Sequence, residues 1–340
     1  MILHKMLLAS VTVLLLSLTG VCADALPTFQ AGINVLLYRL DYATTNDLDS
    51  KLGSFLDRMQ SDHINAISLS FLIYTEGVKS NRLLTGDKTP SDEDLELFIR
   101  RARERGLSVM LRPILDEQSL VAEEADEWRG SIEPSNVSAW FESYGDLLFH
   151  YADIAQVAGA NSLDIATELN SMEQYPTRWR ALVAMVRKRF SGMLTYSSNQ
   201  GISVTMPWNV LDFVSVDAFF ELDTGDTATT KDMAAAWKKW VGPIASRSKI
   251  LGKPLMLTEI GSTSQVGAHR RSWVWDHKSA VDLEDQRRYY ESACLAWKPN
   301  VSGIYWWVAT LSMPADPTHD IDFTPFGKPA EKEISSCYNQ

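Results

Sequence analysis

Short apolar, β-branched runs alternate with longer amphipathic stretches from one end of the chain to the other. The short runs predict strands at 31–37, 64–72, 107–113, 161–167, 192–197, 212–218, 254–259 and 301–308. Between them, apolar positions recur at helical spacing over 46–61, 91–105, 136–158, 174–190, 229–251 and 283–297. The punctuation fits this division. Asn46 stands where it would cap the first helix, Ser91 and the acids after it open the second, Gly106 ends that helix and Gly159 ends the third. Strands separated by helical crossovers pair in parallel, and eight of them favour closure into an α/β (β/α)8 TIM barrel over an open doubly wound sheet. No G-x-G-x-x-G follows the first strand, which argues further against a dinucleotide-binding fold. No Pro/Gly/Ser-rich linker or repeat divides the chain, so a single domain over 24–340 is expected behind a signal peptide at 1–23.

The leader reading rests on Lys5, the apolar run from Met6 to Val21, and small residues at cleavage-type spacing around Val21-Cys22-Ala23 or Ala23-Asp24-Ala25. A retained anchor is the alternative, but the run is short for a membrane span. The expected location is therefore secreted, either extracellular or periplasmic. Cleavage removes Cys22 and leaves Cys294 and Cys337, which form either one disulfide or two unpaired thiols. Asn136-Val-Ser and Asn300-Val-Ser are glycosylation sequons, meaningful only in a eukaryotic secretory route.

The net charge of −11 leaves no basic footprint for nucleic acid, and the basic cluster at 100–105 is interleaved with acid. The six His show no H-x-x-x-H or H-E-x-x-H spacing; His63, His269, His277 and His319 read as surface or loop residues, so no metal and no cofactor is expected. No G-x-S-x-G elbow points to a serine hydrolase. Oligomeric state is not legible.

In such a barrel the chemistry sits at the C-terminal ends of the strands. The polar residues that close the apolar runs are Asn34 or Tyr38, Arg112, Asp116, Glu168, Asn199, Asp217 and Glu259, with Trp306 and Trp307 at the eighth strand. Glu168 and Glu259 stand out because each ends an apolar strand, the fourth and the seventh, as the second half of a Thr-Glu pair. Burying an unpaired carboxylate is costly, so the tolerated roles are pairing with arginine, binding metal or catalysis. Two of them facing across one mouth suit glycoside hydrolysis, in which one carboxylic acid protonates the departing oxygen and a second carboxylate attacks the anomeric carbon. Arg112 is expected to face the mouth and hold a carboxylate, Glu259 or a neighbour; a bridge to Asp116 or Glu117 outside the site is the alternative. Close to Glu259 it would keep that group ionised, leaving Glu168 as acid/base.

The chain resembles the retaining (β/α)8 glycosidases and, within them, glycoside hydrolase family 113 of β-1,4-mannanases. The matching pieces run in order from Trp140-Phe-Glu-Ser-Tyr and Tyr151-Ala-Asp-Ile-Ala through Ala166-Thr-Glu-Leu, Gly192-Met-Leu-Thr-Tyr-Ser-Ser-Asn and Val216-Asp-Ala-Phe. They continue through Leu257-Thr-Glu-Ile-Gly and Gly303-Ile-Tyr-Trp-Trp to Pro325-Phe-Gly-Lys-Pro-Ala-Glu, covering roughly 108–334. The resemblance implies a retaining endo-mannanase acting on a polysaccharide or oligosaccharide, with Glu259 as nucleophile and Glu168 as acid/base. Two positions depart from it. Thr167 stands where many relatives in the wider clan carry an Asn that bonds the sugar 2-hydroxyl, and Phe219 stands where a Tyr hydroxyl is expected beside the nucleophile. A β-glucanase or exo-acting β-glycosidase, or a non-catalytic glycan-binding barrel, therefore stay open as alternatives.

Substrate contacts are expected from Arg112, Asn199, Trp208, Asp217, Phe219, Trp306 and Trp307. The abundance of Trp, eleven in all, supplies flat faces on which sugar rings can stack. Neighbouring strand residues point to opposite sides, so only one of Trp306 and Trp307 can look into the mouth while the other packs against helices. Trp128, in the acidic stretch 123–129, is a candidate outer wall.

Overall fold

The computed structural model describes residues 28–116, 127–275, 278–312 and 314–339. The expected signal segment with Lys5 and Cys22, most of the acidic stretch before Trp128, Glu117 and His277 lie outside them. The strands are β1 (Gln30–Leu36), β2 (Ala66–Thr75), β3 (Leu83–Leu84), β4 (Ser108–Leu115), β5 (Ser162–Thr167), β6 (Met193–Asn199), β7 (Val214–Asp217), β8 (Leu255–Ile260) and β9 (Gly303–Ala309). β1 pairs in parallel with both β2, Gly32 opposite Ala66, and β9, Gln30 opposite Gly303. This closes eight parallel strands into a (β/α)8 barrel. β3 is a short antiparallel appendage on the end of β2, Tyr74 opposite Leu84, which the hydrophobic pattern did not signal.

The helical spans lie close to those read from the pattern, and their ends are set by local chemistry. The first, Thr45–Ser61, is capped by Thr44, whose side chain accepts from the Asp47 N–H; Asn46 sits inside the first turn and is not the cap. Asp92–Glu104 opens with a reciprocal capping box between Ser91 and Asp94. Val137–Ala158 runs from Asn136 to a left-handed Gly159, where the missing Cβ permits φ 82°. The stretch 174–190, read as one helix, is helical only over Pro176–Val186, and a short 3-10 turn, Asn170–Gln174, precedes it. Cys294 and Cys337 are disulfide-bonded with Cα atoms 6.0 Å apart, tying helix Leu283–Trp297 to the C-terminal helix Pro329–Tyr338. Among the described residues no helix is long and apolar enough to cross a membrane.

The alternation along each strand builds the barrel in layers. Leu69, Leu111, Leu163 and Leu257 face outward into the main core beneath the helices. Facing inward at the N-terminal end, Ala66, Met110, Phe213, Met256 and Tyr305 form an apolar plug. Above the plug the inward residues turn polar although fully buried: Asn34, Ser70, Arg112, Asp164, Ser197, Asp217 and Thr258. Each polar atom buried there needs a partner. Thr258 donates to Asp217, Ser197 to Thr258, and the Asn34 amide to the Thr258 carbonyl at 2.8 Å. This polar storey is the floor on which the candidate site rests.

Candidate active site

Both glutamates leave the strand pattern just where they reach the mouth. Strict alternation would leave Glu259 facing the helices, since Met256 and Thr258 face inward. The ladder to β9 shifts register between Leu257 and Ile260, and that to β7 between Val216 and Asp217. The bulge re-aims Glu259 to the cavity and returns Ile260 to the outer core. Glu168 follows the last residue of β5 with φ 53°, in the left-handed region that costs a non-glycine residue about 1–2 kcal/mol. Its N–H donates to the Ser197 carbonyl at 2.8 Å, one of the bonds that hold the turn in place.

Beneath them lies Arg112, wholly buried. Its guanidinium reaches Asp164 at 3.0 Å, Asp217 at 2.9 Å and Glu259 at 2.7 Å, and also donates to Asn34 and Thr167. Of the two readings of Arg112, the structure takes the carboxylate-holding one. A second arginine, Arg129, comes from the segment after β4: its Nη1 lies 2.7 Å from Glu168 Oε2, and its Nε donates to the Leu115 carbonyl. Four carboxyl groups therefore share two guanidiniums. Burial raises the pKa of Glu168, with Arg129 opposing and Asp217 adding to it. Burial also raises Glu259 well above the usual glutamate range, and Asp217 pushes the same way against Arg112. Arg112 is thus where it was expected, but its pull does not outweigh burial. Asp217 itself is pushed up to about 6, burial again being the largest cause.

A cavity of about 400 Å³ opens above this cluster, lined by Glu168, Glu259, Arg129, Asn199, Gln200, Phe219, Trp128, Trp273, Trp307 and Phe323. Asn199, Phe219, Trp307 and Trp128 therefore stand where the sequence placed them. Four expected contacts do not. Trp208 is buried away from the cavity, its Nε1 donating to the Ser203 carbonyl and its ring beside Tyr196. Trp306 faces outward and stacks on Tyr290 at 4.4 Å, as alternation requires once Trp307 faces the mouth. Arg112 and Asp217 lie fully buried in the storey below, paired with each other, and do not line the cavity. Trp307 is fixed by its carbonyl, which accepts from Tyr290 Oη at 3.1 Å and passes so near Gly261 that a Cβ there would lie 2.5 Å from it. The Trp307–Val308 peptide bond is cis. Thr167 serves the floor, bonding Arg112.

Sequence reasoning missed Arg129, Trp273 and Phe323. Arg129 opens a one-turn 3-10 helix, Arg129–Ser131, and Phe323 lies in a loop, neither of which periodicity signals. Trp273 did carry a signal: with Trp275 it forms an aromatic pair in an otherwise polar loop after the seventh barrel strand, and both are 42% exposed. Among the described residues no cluster of His, Cys, Asp and Glu is arranged to hold a metal.

The model of glycoside hydrolase family 113 matches residues 44–328. The chain belongs to glycoside hydrolase family 113. Membership makes it a hydrolase of O-glycosyl bonds and places the carboxylate-lined cavity in the setting of glycoside cleavage. The family's solved members share the architecture. The β-mannanase AaManA of Alicyclobacillus acidocaldarius superposes with TM-score 0.79 at 23% identity, over 92% of this chain and 98% of that one. A second family 113 β-1,4-mannanase gives 0.79 at 22%, over 92% and 100%. A β-glucuronidase of Ruminococcus gnavus gives 0.60 at 10%, over 92% of this chain and half of that one. At these identities the likeness speaks to the fold alone. A comparison with curated protein sequences returns no match.

Proposed function

We propose that this family 113 hydrolase is a secreted, retaining endo-β-1,4-mannanase in which Glu259 is the nucleophile and Glu168 the acid/base. The observation that carries the reading is that two glutamates from the fourth and seventh barrel strands line one cavity, each with its own arginine. Mannan as substrate draws on the two family 113 neighbours described as β-mannanases. Secretion accords with the disulfide, which persists in an oxidising compartment.

In the first step Glu168 gives its proton to the glycosidic oxygen as the C–O bond breaks, and a Glu259 oxygen bonds the anomeric carbon from the opposite face. In the second, water adds to that carbon, Glu168 takes its proton and Glu259 leaves as carboxylate. The two must hold different protonation states before the first step. The shared cluster allows this, because the Asp217 charge acts on both glutamates and the Glu168 charge acts on Glu259, so the protonation of one sets how readily another ionises. Once Asp217 takes up a proton near its pKa of about 6, the charge that most opposes Glu259 ionisation, after burial, is gone. Arg112 then stabilises the Glu259 carboxylate.

Proton NMR of mannohexaose hydrolysis tests the stereochemistry. The reading expects the β-anomer as the first product, converting later to the α form; the α-anomer appearing first overturns it.

A further inference from the structure

Glu168 sits in a left-handed backbone that costs a non-glycine residue free energy, and such a conformation persists only where its surroundings over-determine it. The Ser197 carbonyl and Arg129 hold Glu168 directly. Further restraint comes through the 3-10 turn that follows, Asn170–Gln174, which is tied at several points. Ser171 Oγ donates to the Ile132 carbonyl at 2.5 Å, joining the turn to the segment that carries Arg129. The buried Trp179 Nε1 donates to the Met172 carbonyl at 2.9 Å.

The half-buried Glu173 supplies a further tie, and it takes bonds from two separate places in the chain. Its Oε1 accepts from the Tyr196 hydroxyl of β6 at 2.8 Å, and its Oε2 from Ser203 Oγ at 2.6 Å. Ser203 belongs to the loop after β6, where its Oγ also accepts from the Met206 N–H and its own N–H donates to Ser198 Oγ. That loop follows Asn199 and Gln200, which line the catalytic cavity with Glu168. Burial first, then the charges of Glu173 and Glu168, raises the Tyr196 phenol well above its usual range, so it remains a donor at neutral pH. Glu173 is absent from the cavity wall, so any part it plays in the reaction is through another residue.

We propose that Glu173 is a positioning residue for the acid/base: its carboxylate clamps the turn after β5 to β6 and to the loop beyond, fixing Glu168 against the glycosidic oxygen. The assignment rests on the catalytic reading of Glu168. General acid catalysis needs the proton within hydrogen-bond reach of the departing oxygen, and a misplacement of about 1 Å costs roughly a hundredfold in rate. Releasing Glu173 loosens the turn behind Glu168 and leaves the Arg112–Glu259 pair in place on its own strands. The nucleophile is spared and the proton donor is misplaced.

Two substrates that share one glycone separate these effects. The aglycone of 2,4-dinitrophenyl β-mannobioside departs without a proton, whereas that of phenyl β-mannobioside needs the acid. In Glu173→Ala, kcat/KM on the phenyl substrate should fall about tenfold to a hundredfold, and on the dinitrophenyl substrate less than about threefold. Glu173→Gln, whose amide still bonds both hydroxyls, should restore both rates. Tyr196→Phe keeps the buried ring and deletes one bond, so it should show the same selective loss at smaller size; it decides the outcome should Glu173→Ala fail to fold. A merely structural role lowers the folded fraction and with it both rates equally. Equal losses, or none, in these variants overturn the proposal. Glu168→Ala is the control for the catalytic reading. Selective loss there, with equal losses in the Glu173 and Tyr196 variants, overturns the proposal alone; equal loss there overturns the acid/base assignment and the proposal with it.

Discussion

Arg112 meets Glu259 at 2.7 Å from the storey beneath the cleft, and the same guanidinium binds Asp164 and Asp217. One buried cation thereby fixes the orientation of a cavity-lining carboxylate without itself reaching the cavity. The charge survives burial because Asp217, Glu259 and Asp164 together outweigh the loss of water. Removing it would strand three acids in the interior.

Arg112→Met is accordingly expected to destabilise the fold by about 3–5 kcal/mol at neutral pH, the range for breaking a buried ion pair from one side. The loss should shrink in acid. Without the cation the folded-state pKa values of the three carboxyls rise further, and a raised carboxyl contributes stability that is lost as pH climbs through its folded value. Thermal unfolding of both proteins at pH 5 and pH 7.5 checks this; equal destabilisation at the two values would refute it.

Arg129 acts on the other glutamate. Its charge and hydrogen bond lower the Glu168 pKa, opposing burial. In Arg129→Gln that opposition disappears, Glu168 holds its proton to higher pH, and the alkaline limb of kcat/KM on mannan moves upward. A limb that stays put would mean that Glu168 is not the group titrating there.

Asp217→Asn removes an acid whose charge raises Glu259 and keeps an acceptor for Arg112 and Thr258. Glu259 should then ionise at lower pH, so the acid limb of kcat/KM moves down. An upward move, or none, would show that Asp217 does not regulate the nucleophile.

The disulfide between Cys294 and Cys337 spans 43 residues of sequence. Loop-closure entropy for that length contributes about 4 kcal/mol by the chain-entropy model. Cys294→Ser should lower Tm by roughly 5 °C, and reductant should lower the wild type equally while leaving the variant unmoved. Calorimetry with and without reductant reads both.

Much of the architecture was legible because it depends on periodicity. Leu163 and Ile165, or Leu255 and Leu257, mark strands whose outward faces pack beneath helices, and every barrel strand lies within a few residues of its expected span. The two glutamates were legible as polar ends of apolar runs. What alternation could not show is how they reach the cavity: a register shift around Glu259 and a left-handed backbone at Glu168. The same rule foresaw that Trp306 and Trp307 would part, but not which would face the mouth. Trp208 misled because a Pro-Trp in a loop resembles a stacking platform, whereas its Nε1 finds a partner inside the loop at Ser203. Arg129, at the start of a one-turn 3-10 helix, and Phe323, in a loop, take positions that follow from tertiary anchors. One such anchor is the bond from Gln286 to the Phe323 carbonyl.

Trapping the glycosyl-enzyme decides whether Glu259 is the nucleophile. A 2-deoxy-2-fluoro-β-mannobiosyl fluoride carries a leaving group good enough to load the enzyme and a fluorine that slows release. Incubation followed by peptide mass mapping should show one added 2-fluoromannobiosyl unit on the peptide containing Glu259, and none in Glu259→Ala. A label on any other residue, or no label on an enzyme that cuts mannan, contradicts the assignment.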